Sequence, residues 1–546
     1  MGTHGPEANV TRRDIRKLDK TLLVVCLSVL AVTVAYPLVR LLATAARDWA
    51  GVAIVTNPGR AAIVNTAVIS FATVLTSGML GSALAFLLTR YRFPGRRILA
   101  GLAYMPFTLP PLVGVLSFYY LVGIDGVLPR FCARYLGLDN LALRGPWAIL
   151  LVHTYSFYVY FYAMVGAALD TVDVSQLEAA RTLGAGRLRV FFRVMLPMLN
   201  PALLGASLLT FMSSGASFSA PYIFGHRYPM LSVEIFNERS QFNDARAATL
   251  TVVLAVVSLL GVLVFRSRKR AAVGGMKGVR VPLRSRTGRF AATLGAGGCI
   301  ALILVPHLTI VWLSFVDHRA WHTELVPTAF TLANYREIFT SSQAFAPIRN
   351  SLWMSALAAG ACLLAALPAG YLIGRKRPGA AWVNLLVMIP WALPGTVTAM
   401  NLILAFNDPR FPLVGTVWLL PLAYYIRNVP LLTRISTAAI EPFDASLLEA
   451  GQTLGGSRWF CFSRIVLPLM LPAIAAGTAL VFATCLGEFV ASILLYVYGN
   501  IPISVQIAMM WRGAAGIGPA FAYSVLLMVL VATTFLLSRR FTSRLF

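Results

Sequence analysis

The segment LEAARTLGAGRLRVFFRVMLPMLNPAL, residues 177–203, returns near the end of the chain as LEAGQTLGGSRWFCFSRIVLPLMLPAI, residues 448–474. Other matches follow in the same order, at an offset of about 270 to 285 residues. They are Asn65 with Asn350, MPFTLPP from Met105 with IPWALPG from Ile389, and SVEI from Ser232 with SVQI from Ser504. Since chance does not produce several matches in one order, the chain is two copies of one unit.

Composition places both copies in a membrane. Of the 546 residues, 58% are apolar and 12% are charged. Apolar runs of about 20 residues, long enough to cross a bilayer as helices, recur along the whole chain. We predict twelve spans, at 21–42, 65–88, 100–121, 147–167, 200–223, 247–265, 290–315, 351–373, 381–405, 414–432, 472–495 and 520–538. The predicted fold is therefore an all-α polytopic membrane protein with six helices in each repeat.

The basic residues predict the orientation. A net charge of +26 would suggest nucleic-acid binding in a soluble protein, but here the charge is clustered between spans. If the spans alternate, every cluster falls on one side, which the positive-inside rule makes the cytoplasm. Both termini are then cytoplasmic. The clusters lie at 12–17, 90–97, 266–289, 375–377 and 539–544.

The repeat also predicts the domain organisation. Residues 1–265 form a first unit of six spans, 266–289 a basic cytoplasmic linker, and 290–546 a second unit of six spans. Because six spans return the chain to its starting side, the two units insert in parallel around an axis along the membrane normal. This arrangement predicts a central pathway between similar halves.

The repeated polar segment predicts a short cytoplasmic helix in each unit. Ser175 and Glu178, like Ser446 and Glu449, have the spacing of a capping box. A glycine then ends each helix. Helices this short are marginal in water by themselves, so each needs something to pack against. One alternative is a helix lying on lipid headgroups, but duplication favours a paired docking surface for a symmetric partner.

These residues carry a family resemblance. The segment resembles the "EAA, then Gly, then Leu-Pro" motif of permease subunits of binding-protein-dependent ABC importers. The motif falls on Glu178, Ala179, Ala180, Gly184, Leu196 and Pro197, and again on Glu449, Ala450, Gly451, Gly455, Leu467 and Pro468. Gly451 departs from the motif, where alanine is usual. The fused twelve-span arrangement is most similar to ferric-iron and thiamine importers, with spermidine and phosphonate importers next.

The resemblance implies the type I permease fold, a location in the inner membrane, and partners. The two segments would couple to two ATP-binding subunits, and an extracytoplasmic binding protein would deliver the solute, ferric iron being favoured. A P-loop needs a Gly-Lys dipeptide, which occurs nowhere in this chain. We therefore expect no enzymatic activity and no bound cofactor here, with ATP and Mg²⁺ held by the partner subunits.

Glu488 is the clearest ionisable residue within a predicted span. Hydrocarbon penalises charge, so such residues are functional candidates. In the repeat alignment Glu488 matches Ser217, and Phe489 matches Phe218. We expect these four residues at the translocation path or gate, where Glu488 contacts a cationic substrate or bonds across the gate. The alternative is a carboxyl group paired with backbone or a neighbouring serine.

Other polar residues give weaker signals. An ion-coupled secondary transporter remains an alternative class, but its relay of buried charges would need more than Glu488. His318 and His322 are a weak metal candidate in an outer loop, whereas isolated His153 and His307 are expected to be packing residues. Prolines predict a break in the third span of each unit, at Pro106, Pro110, Pro111, Pro390 and Pro394.

Overall fold

The structure, a computed structural model, is almost entirely helical. It describes residues 6–47, 57–124, 126–139, 141–172, 174–265, 281–282, 285–317, 329–441, 450–451, 453–457, 460, 462–512 and 517–542. Within these ranges, four two-residue strands accompany the helices. Tyr91–Arg92 pairs in parallel with Val281–Pro282, which belongs to the predicted linker, and Asn407–Asp408 pairs antiparallel with Phe411–Pro412.

The first repeat contains thirteen α-helices in its described residues. They are α1 (Pro6–Leu30), α2 (Tyr36–Arg47), α3 (Asn57–Ala85), α4 (Arg96–Leu102), α5 (Pro111–Val122), α6 (Val127–Leu136), α7 (Gly145–Asp170), α8 (Val174–Thr182), α9 (Arg187–Val190), α10 (Leu196–Gly215), α11 (Ser219–Phe224), α12 (Leu231–Ser240) and α13 (Asp244–Val264).

The second repeat follows the same plan. Its helices in the described part are α14 (Arg286–Ser314), α15 (Ala333–Thr340), α16 (Ser342–Gly374), α17 (Ala380–Ala392), α18 (Gly395–Phe406), α19 (Leu419–Ile440), α20 (Leu467–Leu486), α21 (Ser492–Leu495), α22 (Ile503–Arg512) and α23 (Ile517–Thr542). Five-residue π-helical segments precede the Leu-Pro pair in both repeats, at Phe191–Met195 and Phe462–Val466.

The predicted fold class is confirmed. Among the described residues, ten helices are long and apolar enough to cross a membrane, and a bent helix pair makes an eleventh span. The remaining prediction, 414–432, coincides with α19. This helix is less apolar because it carries Arg427, Asn428 and Arg434.

Both third spans are broken, as the prolines predict. In the second repeat, α17 and α18 meet at an angle of 112°. In the first, a 3₁₀ turn, Met105–Thr108, separates α4 from α5. Pro110 and Pro394 are extended and stand immediately before α5 and α18. A proline has no N–H to lose at a helix start, so both helices restart after a proline.

The fifth spans differ from the prediction of continuous helices over 200–223 and 472–495. Helix α10 ends at Gly215 and α20 at Leu486, and each is followed by a short non-helical stretch and then a short helix, α11 or α21. Exposed backbone at membrane depth requires internal partners. The residues that supply those partners form the candidate gate described below.

The first span of each repeat packs with the remaining helices of the other repeat. One compact unit contains Met1–Arg47 with Ile338–Gln506 and Leu526–Phe546, and the other contains Asp48–Glu337 with Ile507–Val525. Within the first of these units, Tyr36 Oη donates to Ala405 O over 3.2 Å. Within the other, His307 of α14 contacts Met105 O through Nε2 at 3.2 Å. The sequence boundaries 1–265 and 290–546 remain a prediction about repeats, which are distinct from these packing units.

Candidate functional site

The first copy of the repeated segment forms helix α8 in a loop between spans. The helix begins at Val174, one residue before the predicted capping serine, Ser175. Glu178 and Ala179 are exposed and Ala180 is half-buried, whereas Leu177 is buried and anchors the helix. The side chains of Glu178, Ala179 and Ala180 are therefore accessible to a partner protein.

Gly184 ends α8 in the left-handed conformation that the sequence predicts, with φ +81°. Gly184 N donates to Arg181 O over 2.9 Å, and Ala185 N donates to Ala180 O over 3.0 Å. These two bonds are the Schellman arrangement, which satisfies carbonyls left free at a helix end. A Cβ at Gly184 would meet nothing within 4 Å, so conformation rather than crowding requires glycine here.

The second copy ends in the same way. Gly455 has φ +84°, and Gly456 N donates to Gly451 O over 3.0 Å, a bond equivalent to that of Ala185. Ala450 and Gly451 are helical, so the unusual Gly451 does not prevent the turn. Glu449 and Ser446 lie outside the described residues.

Two residues that sequence reasoning missed are Leu183 and Leu454. They occupy equivalent positions immediately before Gly184 and Gly455, and each is 89% exposed. An isolated exposed leucine needs no explanation, but two at equivalent sites of two repeats form a matched pair. The sequence signal was present, since a leucine precedes the glycine in both copies of an otherwise polar segment.

Glu488 lies at the break that follows α20, in the second repeat. Its Oε2 is 3.0 Å from Arg427 Nε of α19, and its Oε1 accepts from Ala491 N over 2.9 Å. The carboxylate therefore neutralises a cation and also satisfies a backbone N–H that the break leaves free. The Glu488 side chain is 11% exposed and that of Arg427 is 27% exposed, so the pair is largely removed from solvent.

Arg427 joins three elements. It belongs to the fourth span of its repeat, pairs with the break in the fifth, and packs against Gly395, the first residue of α18 after the break in the third. A Cβ at Gly395 would overlap Arg427 Nη1, so a side chain at this position would displace the guanidinium. Sequence reasoning missed Arg427, although one arginine in the apolar run AYYIRNVPLL was a readable signal.

The first repeat has no carboxylate at the equivalent break. Ser217 is half-buried there, and its carbonyl accepts from Ser232 Oγ over 2.6 Å. Phe218 is fully buried, with its ring 4.8 Å from that of Tyr222, and Phe489 is 1% exposed in the other repeat. Both phenylalanine rings are thus packed inside their own units, and their role at a path or gate stays a prediction.

The matching sequence pairs make matching hydrogen bonds. Asn65 Nδ2 donates to Pro229 O over 2.9 Å, and Asn350 Nδ2 donates to Ile501 O over 3.2 Å. One residue further on, Thr66 Oγ1 accepts from Leu231 N and Ser351 Oγ accepts from Ile503 N. The Ser232 bond also has its counterpart, because Ser504 Oγ donates to Glu488 O over 2.8 Å. In each repeat, the second span and the start of α12 or α22 therefore hold the segment that follows the fifth-span break.

The histidines of the spans make packing contacts. His153 Nδ1 lies 3.0 Å from Ser214 Oγ, and His307 Nδ1 lies 3.2 Å from Tyr155 Oη. Both side chains are buried. His318 and His322 lie outside the described residues, so the weak metal prediction stays untested.

Comparison with known proteins identifies the family. The family described as "Binding-protein-dependent transport system inner membrane component" matches residues 77–271 and 366–546, once in each repeat. This double match confirms the fused arrangement that the sequence predicts. The chain is accordingly a multi-pass membrane protein of the permease class, whose subunits are not themselves enzymes.

Curated relatives include permeases that match most of this chain and others that match less than half of it. A probable ABC transporter permease of Sinorhizobium fredii is 30% identical, covering 88% of this chain and 87% of the relative. A ferric transport system permease of Actinobacillus pleuropneumoniae is 28% identical over 82% of this chain and 67% of the relative. A sulfate transport system permease of Salmonella typhimurium is 32% identical over 38% of this chain and 76% of the relative. The chain therefore belongs to the permeases of binding-protein-dependent ABC importers, as a fused member with two permease units.

Proposed function

We propose that this ABC importer permease carries ferric iron, delivered by a binding protein from the far side of the membrane. The observation that carries the proposal is that a ferric permease relative is similar across both repeats. The sulfate relative, which is similar over 38% of this chain and 76% of its own length, makes sulfate an alternative. Thiamine, polyamine, phosphonate and sulfate are the alternative cargoes. An ion-coupled carrier is not supported, since the family is that of ATP-driven importers.

The test is uptake by cells that lack the gene, compared with cells in which it is restored. Radioactive ferric iron, sulfate, thiamine and spermidine are supplied in parallel. Restoration of ferric uptake alone supports the proposal. Restoration of one of the other solutes, with ferric uptake unchanged, refutes the iron assignment and leaves the permease assignment standing.

The second part of the proposal concerns the two coupling segments. Each docks one ATP-binding subunit, which binds ATP and Mg²⁺, while this chain binds no cofactor of its own. Three features support this role: the duplicated turn at Gly184 and Gly455, the exposed face of α8, and the matched leucines Leu183 and Leu454.

The docking experiment compares co-purification of the ATPase with wild type and with two double variants, Glu178→Ala/Glu449→Ala and Leu183→Ser/Leu454→Ser. The matched control is Leu332→Ser, a leucine that is 68% exposed in the loop before α15. We expect the double variants to lose the ATPase and the control to keep it. Full retention by both double variants would contradict the docking role. If the segments instead lie on lipid headgroups, the leucine variant will leave ATPase retention unchanged.

The orientation proposed here follows from the basic clusters, with both termini and both coupling segments in the cytoplasm.

The gate proposal follows from the position of four residues at the breaks in the fifth spans. They are Glu488, Ser217, Phe218 and Phe489. Because Glu488 already pairs with Arg427, its function in this proposal is to hold the break together, and direct contact with a cationic solute requires the pair to open first. Measuring transport by a Glu488→Gln variant tests that function.

A further inference from the structure

A cavity of 490 Å³ lies among the spanning helices of the unit that contains most of the second repeat. Its walls come from α1, α16, α17 and α19, with Leu30, Ala361, Ala365, Pro368 and Val429 among the lining residues. The side chains around it are overwhelmingly apolar. Water would find too few hydrogen-bond partners to occupy such a space.

The cavity opens sideways, into the medium that surrounds the spans. Three of its lining residues are strongly exposed: Val25 at 53%, Leu364 at 77% and Trp418 at 57%. Around a spanning helix this medium is hydrocarbon. The material able to enter from that side is therefore a lipid chain.

Movement of the first span, which consists of α1 and α2, is restrained by contacts on both sides of the cavity, and these contacts oppose its closure. On one side Asp19 Oδ2 lies 3.3 Å from Arg377 Nε. On the other, Tyr36 Oη donates to Ala405 O, and Arg40 Nη1 lies 3.4 Å from Asp408 Oδ2. A gap that cannot collapse forfeits the van der Waals contacts of its lining unless something fills it.

The length of the cavity matches one leaflet. Along α16 the lining runs from Leu357 to Ala369, which at 1.5 Å per residue is about 18 Å. Half of a hydrocarbon core is about 15 Å. The space therefore suits one acyl chain rather than a compact solute.

One end of the cavity is basic. Lys20 precedes the lining residue Val25 by five residues in α1, and Lys376 follows the lining residue Ala369 by seven residues. Both lysines are exposed, as is Lys17, and the pair of Asp19 with Arg377 joins the two helices at this end. Lys376 has φ +50°, and its neighbour Arg377 N donates to Leu372 O over 3.0 Å. This is the helix-ending position that normally holds glycine, so a lysine there accepts a conformational cost. Lys376 therefore presents an exposed ammonium at this end of the span.

We propose that the cavity holds one acyl chain of an anionic phospholipid, whose headgroup lies against Lys20 and Lys376. The lipid fills the space between the first helix of the chain and the helices of the second repeat. It is a resident component of this packing unit rather than part of the exchanging bilayer.

The test uses the full chain in nanodiscs of equal phosphatidylglycerol and phosphatidylcholine, extracted into mild detergent and weighed by native mass spectrometry. Wild type is expected to retain one phosphatidylglycerol. Ala365→Trp, which fills the cavity, should retain about tenfold less. The matched control is Leu302→Trp on α14, at a residue that is 73% exposed and outside the cavity, and it should retain the lipid.

A second variant keeps the test decisive if Ala365→Trp does not fold. The double variant Lys20→Gln/Lys376→Gln leaves the cavity intact. It should retain phosphatidylglycerol and phosphatidylcholine in equal amounts. Equal retention by Ala365→Trp and Leu302→Trp would overturn the site. An unchanged preference in the double lysine variant, or no preference in wild type, would overturn the headgroup assignment.

Discussion

The pair of Arg427 with Glu488 allows a quantitative prediction. At an effective dielectric constant of about 20, unit charges at the 3.0 Å separation of Nε and Oε2 attract by about 5 kcal/mol. Desolvation of both groups offsets much of this, and a hydrogen bond between charged groups is worth about 2 kcal/mol net. We therefore expect a coupling free energy of about 2 kcal/mol between the two side chains.

Three variants measure this coupling: Arg427→Met, Glu488→Gln and the double variant. Each single change leaves one charge without its partner in a largely buried site, which costs about 3 kcal/mol or more. Glu488→Gln keeps an amide oxygen that can accept from Ala491 N, so its effect reports the charge and not the backbone bond. The double variant should therefore lose about 2 kcal/mol less than the sum of the single variants.

The assay is unfolding of the purified chain by SDS titration in mixed micelles, with uptake measured in parallel. The control cycle combines Glu488→Gln with Arg434→Met, an arginine of the same helix whose Nε contacts Met388 Sδ. The control cycle should be additive within about 0.5 kcal/mol. If the effects of the Arg427 and Glu488 variants were also additive within about 0.5 kcal/mol, the expected coupling between the two side chains would be refuted, even if both single variants were unstable.

Three further predictions follow from the packing. Gly81→Ala should lower the melting temperature and Gly101→Ala should not, because a Cβ at Gly81 would overlap Tyr158 O whereas one at Gly101 meets nothing within 4 Å. Asn65→Ala and Asn350→Ala should each lower the unfolding free energy by about 1–2 kcal/mol, because they leave the carbonyls of Pro229 and Ile501 unpaired. A loss of stability in only one of the two variants would contradict equivalent roles for the two asparagines. Gly184→Ala and Gly455→Ala should each reduce transport-coupled ATP hydrolysis by straining a left-handed turn at a cost of about 1 kcal/mol, and unchanged hydrolysis in both would contradict the importance of the turn.

Features set by local residue type could be predicted from the sequence. Most of the spans follow from runs of apolar residues, and the third-span breaks follow from Pro110 and Pro394. The glycines at 184 and 455 gave the ends of the coupling segments, because few other residues adopt a positive φ cheaply. In each case the deciding interaction lies within a few residues of the feature.

Features set by distant contacts could not be predicted in this way. The fifth-span breaks occur in apolar sequence, and partners far along the chain, such as Asn350 and Ser351, satisfy the backbone there. Arg427 is a single charge in an apolar run, so its role could not be predicted without knowing its partner Glu488, which is 61 residues away in the sequence. The exchange of first helices between packing units has no local signature at all.

The two repeats agree at the proposed coupling segments and differ at the proposed gate. The coupling turns share their dihedral angles and their exposed leucines, and both fifth-span breaks are held by the same three hydrogen bonds. In the second repeat the ion pair of Arg427 with Glu488 is added to these shared hydrogen bonds, whereas the first repeat has Ser217 in place of the carboxylate.

If the segments at the two fifth-span breaks move when the gate opens, the second repeat must break an extra interaction of about 2 kcal/mol. A variant with both charges removed should then open more easily. When it is assembled with its ATP-binding subunits, ATP hydrolysis in the absence of binding protein should rise about tenfold or more, up to the roughly thirtyfold that 2 kcal/mol allows. Basal hydrolysis equal to that of wild type would show that opening does not pass through this pair.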